Sequence, residues 1–155
     1  MTATGHAMIG LALAALIPDP VLGIPIAILS HVACDAFPHW DTGTNMKSNK
    51  PTSQKTRRRF VIESFIDLGV SFVLPLILLL TIFESLNPLY AYIMVISAQG
   101  LDWLSSPRVF LKWNLPPFTW AYSLQGKFDH RLDQPWGIVG QIAVVLFFIS
   151  LAVMA

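Results

Sequence analysis

Long apolar runs separated by short polar stretches set the pattern of this chain, and five of them stand out. Residues 5–17 and 21–37 form a hairpin around Pro18-Asp19-Pro20. Residues 60–83 make the clearest span, and Pro75 within it predicts a kink. Residues 89–104 follow Asn87-Pro88, and residues 136–155 carry no charged side chain. A bilayer core takes ~20 helical residues, so the first run is short for a crossing and reads as a partial or tilted span buried against its neighbours. The expectation is an all-α polytopic membrane helix bundle with about four to five transmembrane helices, one domain over residues 1–155.

Two polar stretches punctuate the runs. Residues 41–59 carry Lys47, Lys50, Lys55, Arg57, Arg58 and Arg59. Residues 105–134 carry Arg108, Lys112, Lys127 and Arg131, with Trp113, Pro116, Pro117, Phe118, Trp120 and Tyr122 among them. Alternating aromatic and basic residues of this kind suit a membrane surface. Lys and Arg concentrate on the cytoplasmic side of membrane proteins, which places both stretches and the amino terminus inside. Residues 84–88 and the carboxyl end then lie outside. All five tryptophans fall near the cytoplasmic interface, where indole prefers to sit. Residues 1–6 lack the basic region and cleavage site of a secretory signal, so the apolar runs read as retained membrane helices.

Composition sharpens this picture. Of the 155 residues, 54% are hydrophobic and 12% charged, against about 25% charged in an ordinary soluble domain. Mean hydropathy is +0.60. A net charge of +1 argues against a nucleic-acid binder. A single cysteine excludes an internal disulfide; Cys34, one residue from Asp35, points away from the His31 face. There is no internal repeat and no nucleotide-binding glycine pattern.

The chemistry concentrates in Ser30-His31-Val32-Ala33-Cys34-Asp35-Ala36-Phe37-Pro38-His39-Trp40-Asp41. His31 and Asp35, four apart, share one helix face. Pro38 stops the helix, and His39 and Asp41 follow where the chain can fold back. Imidazoles and carboxylates in an apolar setting are costly unless paired or bound to something. On the expected topology His6, Glu63 and Asp67, Asp102, and Asp129, His130, Arg131 and Asp133 gather at the same end as this cluster. The topology was assigned from Lys and Arg alone, so the convergence is an independent check. Such a donor set suits zinc, or a manganese or iron pair, with more than one ion favoured by the number of carboxylates. The expected ligands are His6, His31, Asp35, His39, Asp41, Asp67 and His130, with Asp102 or Glu63 as catalytic base. Plainer roles stand beside these: helix pairing or proton relay for Asp67, an exposed helix start for His6, turn chemistry for Asp19 and a helix cap for Asp133.

His6 ahead of an apolar helix, followed by His31, Asp35 and Pro38-His39-Trp40-Asp41, resembles the membrane-bound metal-dependent hydrolases of bacterial inner membranes. These are distantly akin to the zinc-dependent phospholipase C group, which also uses an HxxxD helix pair. The likeness is best over the first two helices and extends loosely to Asp67, Asp102 and His130. It implies His6, His31, Asp35 and His39 as metal ligands and hydrolysis of a lipid or phosphoester.

Two other functions compete. A small transporter or proton or metal conduit would draw on Glu63, Asp67, Pro25 and Pro75, but the outer halves of the helices are almost wholly apolar. A structural membrane adaptor would use the His/Asp cluster as a closed metal clamp. The expected partners are membrane lipid and a lipid or small-molecule substrate, without nucleic acid; no protein partner can be read from the chain.

Overall fold

A computed structural model describes residues 1–42 and 54–155. The basic positions Lys47 and Lys50 lie outside the described residues. Among the described residues seven helices follow one another: α1 (Ala3–Leu16), α2 (Pro20–Asp35), α3 (Gln54–Thr81), α4 (Pro88–Ala98), α5 (Gly100–Phe110), α6 (Phe118–Phe128) and α7 (Trp136–Met154). Among the described residues there is no strand, and extended backbone pairs in a parallel bridge between His39 and Arg131.

The turn residues seen in the sequence work as caps. Asp19 accepts from Val21 N at 2.9 Å with Pro20 in the first turn of α2, and Asn87 does the same for Tyr90 N at 3.0 Å ahead of Pro88. Thr2 caps α1 through Gly5 N at 3.2 Å. Helix α1 is the centre of the molecule. Every residue from Gly5 to Ala14 is buried, and α2, α3, α4 and α7 pack around it. Gly10 makes the α1–α4 approach possible: a Cβ there would meet Met94 O at 2.7 Å and Val95 Cα at 3.0 Å. The short first run is thus a core helix, as its length suggested.

Among the described residues two helices, α3 and α7, are long and apolar enough to cross a membrane. Only 17% and 11% of their most apolar stretches are buried, so both present a large apolar surface outward. Helices α1, α2 and α4 have 14, 16 and 11 residues. Sixteen residues reach roughly 24 Å, short of a ~30 Å hydrocarbon core. The expected four to five spans therefore reduce to two helices of spanning length. Helix α3 starts earlier than the apolar pattern suggested and runs through Pro75 without ending. The run 89–104 is split at Gln99 into α4 and α5, and the polar stretch 105–134 holds the end of α5 and the whole of α6.

Candidate metal centre

One end of the bundle collects the buried ionisable groups. His6 comes from the second turn of α1, His31 and Asp35 from the end of α2, Asp102 from the first turn of α5, and His39 from the turn after α2. His6, His31 and His39 are almost wholly buried, and Asp35 nearly so. The rings of His6 and His31 stack with centroids 3.8 Å apart and planes 10° apart. His6, His31 and Asp102 offer ligand atoms that all lie within 4.8 Å of one another. Asp35 stands beside them, with Oδ1 at 3.2 Å from His6 Nε2 and Oδ2 at 3.4 Å from His31 Nε2. The Met1 ammonium also contacts Asp35 Oδ1.

Backbone carbonyls fix the histidine tautomers. His31 Nδ1 lies 2.8 Å from Ala98 O, and His39 Nδ1 lies 2.8 Å from Phe37 O. A carbonyl only accepts, so in both rings Nδ1 carries the hydrogen, and in the neutral ring Nε2 presents its lone pair. The Ala98 carbonyl is available because α4 ends there: a continuous helix would have turned it to residue 102. The break at Gln99 therefore orients His31. This arrangement, one ring nitrogen donating to the backbone and the other aimed inward, is how metal-ligating histidines are held.

The Nε2 atoms face carboxylate oxygens, and His31 Nε2 also accepts from Gln125 Nε2 at 3.1 Å. His31 Nε2 lies 3.7 Å from Asp102 Oδ1, and His39 Nε2 lies 3.4 Å from Asp129 Oδ1 and 3.8 Å from Asp35 Oδ1. His39 Nε2 and both ring nitrogens of His6 have no hydrogen-bond partner although fully buried. Two donors bound to one ion at 2.0–2.2 Å in tetrahedral geometry stand roughly 3.3–3.6 Å apart, whereas N–H···O hydrogen bonds run from about 2.7 to 3.2 Å. The two 3.4 Å separations fall within the range of polyhedron edges and beyond that of hydrogen bonds, while the His6–Asp35 separation of 3.2 Å lies at the limit of the latter. The cluster of His6, His31 and Asp102 could therefore hold a metal ion.

A strap holds the centre from the other side. His39 N donates to His130 O at 3.2 Å, Leu132 N to His39 O at 2.7 Å and His130 N to Asp35 O at 2.9 Å. The start of α7 presses on it: a Cβ on Gly137 would meet Leu132 O at 2.3 Å and Trp40 N at 2.8 Å. Arg131 bonds Asp129 through Nε at 2.7 Å and Asp41 through Nη2 at 3.2 Å. Burial works against the charge of Arg131, but Asp41 and Asp129 outweigh it, and the guanidinium pKa is raised.

The structure brings His6, His31, Asp35, His39 and Asp102 together and leaves other expected residues elsewhere. Asp67 caps α1, accepting from Ala3 N at 2.7 Å, Thr4 N at 3.2 Å and Thr4 Oγ1 at 2.6 Å. Glu63 pairs with Arg59 at 2.6 Å, an i, i+4 pair on α3. His130 joins the strap through its peptide, and its ring is exposed. Asp41 meets Arg131 instead of the imidazoles. Of two further participants, Gln125 was not singled out by sequence reasoning, and Asp129 was expected at this end but given no ligand role. Gln125 Nε2 donates to Asp102 Oδ1 at 2.7 Å and lies 3.1 Å from His31 Nε2. Asp129 lies against His39. Both were findable, because Ala121, Gln125 and Asp129 repeat at i, i+4 on the inner side of α6.

Compared with family models, curated proteins and solved structures, the chain matches none.

Proposed function

We propose that this chain holds a divalent metal ion at one end of a membrane-embedded helix bundle and acts there as a metal-dependent hydrolase on a lipid or phosphoester. The observation that carries the reading is that buried His6 and His39 have ring nitrogens without a hydrogen bond while their Nε2 atoms face carboxylate oxygens. Lone pairs facing carboxylates repel unless a cation lies between them, and stacked rings 3.8 Å apart disfavour two imidazolium charges. His6, His31 and Asp35 would hold the ion, zinc being the first choice for such a nitrogen and oxygen set, with Asp102 beside it as the base. Bound there, it would supply Lewis acidity and hydroxide near neutral pH. The Asp102 side chain is 39% exposed against 6% for Asp35, so Asp102 is the carboxylate that a substrate and its proton can reach. Glu63, paired with Arg59, is placed less well for that task.

The membrane setting rests on the outward-facing apolar surfaces of α3 and α7. In this reading α1, α2 and α4 complete a four- to five-segment bundle, and the distribution of Lys and Arg along the chain favours the cytoplasmic face for the centre. The near-complete burial of the three histidines also suits a closed structural metal clamp, so the two readings differ in turnover.

Metal content by mass spectrometry on detergent-purified wild type, His31→Ala and Asp35→Ala tests the proposal. It expects near-stoichiometric metal in the wild type and loss in both variants; metal absent from all three overturns it. Asp102→Asn then separates enzyme from clamp. Hydrolysis of a phosphoester by the wild type, abolished in this variant, supports catalysis, while a metal-loaded wild type that turns over no ester or phosphoester leaves the clamp.

A further inference from the structure

We propose that α6 and the exposed stretch ahead of it form a docking surface for anionic lipid headgroups, lying on the bilayer that α3 and α7 cross. The inference rests on reading α3 and α7 as spans and is independent of the metal. The stretch from Leu111 to Pro117 is exposed throughout, with Leu115 61% and Trp113 49% exposed. On α6, Trp120, Leu124 and Lys127 stand at i, i+4 and i+7 on the outer face, Trp120 at 69% exposure. Ala121 and Gln125 make the inner face, and Gln125 touches His31 and Asp102. The surface is therefore not a core turned outward by accident. Its inner side is already engaged.

Charge selects the occupant. Between Trp103 and Phe128 the charged side chains are Arg108, Lys112 and Lys127, and none is acidic. A basic and aromatic surface of this composition matches an anionic headgroup layer, with indoles at the acyl boundary and ammonium groups among the phosphates.

Position agrees with charge. Both spanning helices begin at the end that holds the candidate centre. Phe60 in the early turns of α3 stacks on Phe110 of α5 with centroids 5.7 Å apart, and Arg57 and Arg58 just before it are exposed. Helix α7 begins against the backbone of Trp40 and His39, with Trp136 itself 69% exposed. Arg57, Arg58 and Trp136 mark the headgroup level on the two spans, and α6 meets the same end through Gln125. A headgroup docked on the outer face of α6 would sit one helix thickness from the histidines.

The test uses the full chain in liposomes of phosphatidylcholine, with or without phosphatidylglycerol, carrying brominated acyl chains that quench tryptophan. Wild type is compared with Trp113→Phe/Trp120→Phe and with Lys112→Gln/Lys127→Gln. Quenching should rise when phosphatidylglycerol is added, fall back in high salt, and return to the phosphatidylcholine level in both double variants, with metal content unchanged. Wild-type quenching without a phosphatidylglycerol increment, or an increment that survives either double variant, overturns the docking surface while leaving the spans intact. No quenching in either lipid overturns the bilayer reading as well. Protection of Trp113 and Trp120 from both bromolipid and aqueous acrylamide would mean that protein covers the surface, and that also overturns it.

Discussion

Around the α1–α2 turn and the start of α4, polar side chains are satisfied by neighbouring backbone. Asp19 caps its own helix through Val21 N, Asn87 caps through Tyr90 N, and Tyr90 Oη donates to Ile17 O at 2.5 Å. At the opposite end of α1 the pattern inverts. His6, His31, Asp35, His39 and Asp102 arrive from separate elements, and three buried ring nitrogens are left without a hydrogen bond. An unsatisfied buried polar atom costs about 1–3 kcal/mol. A fold that satisfies one end so locally and leaves buried ring nitrogens unbonded at the other suits a bound ligand there. The contrast is the reason for assigning a cation to one end and only packing to the other.

Removing the cation should give the largest effect. A metal present at 1,000 times its dissociation constant stabilises the folded state by about 4 kcal/mol. At 2–4 °C per kcal/mol for a chain of this size, chelation should lower the melting temperature by roughly 8–16 °C. Thermal scans of detergent-purified protein with and without a chelator, followed by restoration with zinc, measure this directly. An unchanged melting temperature would erase the contrast between the two ends.

The packing region is tested by Gly10→Ala. The new Cβ would meet Met94 O at 2.7 Å and Ala98 Cβ at 2.9 Å, so α1 must move off α4. Overpacking of this kind costs about 1–3 kcal/mol. The variant should melt lower while still binding metal at wild-type stoichiometry. Loss of metal in Gly10→Ala would show that the two ends are coupled through α1 rather than distinct.

Much of this division could be read from the chain, and the rest could not for identifiable reasons. Pro18-Asp19-Pro20 and Asn87-Pro88 announce helix starts because capping is local. His31, Asp35 and His39 declare themselves by i, i+4 spacing and the stop at Pro38. The division of residues 89–104 was hidden, since only Gln99-Gly100 interrupts an otherwise apolar run, yet that break frees the carbonyl that orients His31. In the strap, alternation of side chains turns Asp129 and Arg131 inward and His130 outward, so the histidine seen in sequence was the wrong member of its own motif. Asp67 was misplaced for a tertiary reason. Nothing near it in sequence reveals that the free N–H groups of α1 lie beside it.

That placement makes Asp67→Asn a sharper probe than it was as a candidate ligand. The carboxylate accepts three hydrogen bonds at the positive end of α1, and loss of such a cap costs about 0.5–2 kcal/mol. The variant should melt a few degrees lower and retain its metal in full. Loss of metal with unchanged stability would return Asp67 to the centre and contradict its role as a cap.

Glu63→Gln should have the smallest effect, and its smallness is informative. Glu63 and Arg59 form an i, i+4 pair of the exposed helical kind, with the guanidinium well out in solvent. Such pairs contribute about 0.3–0.5 kcal/mol. The same residue was one of two carboxylates suited by sequence to serve as base, and the structure turns it toward Arg59 instead of His31. Melting temperature, metal content and phosphoester turnover should all stay near wild type, while Asp102→Asn abolishes turnover. A Glu63→Gln protein that binds metal but no longer turns over would require Glu63 to leave Arg59 and reach the histidines, moving the first turns of α3 toward them. The boundary between the reactive end and the packed remainder of the bundle would then fall inside α3.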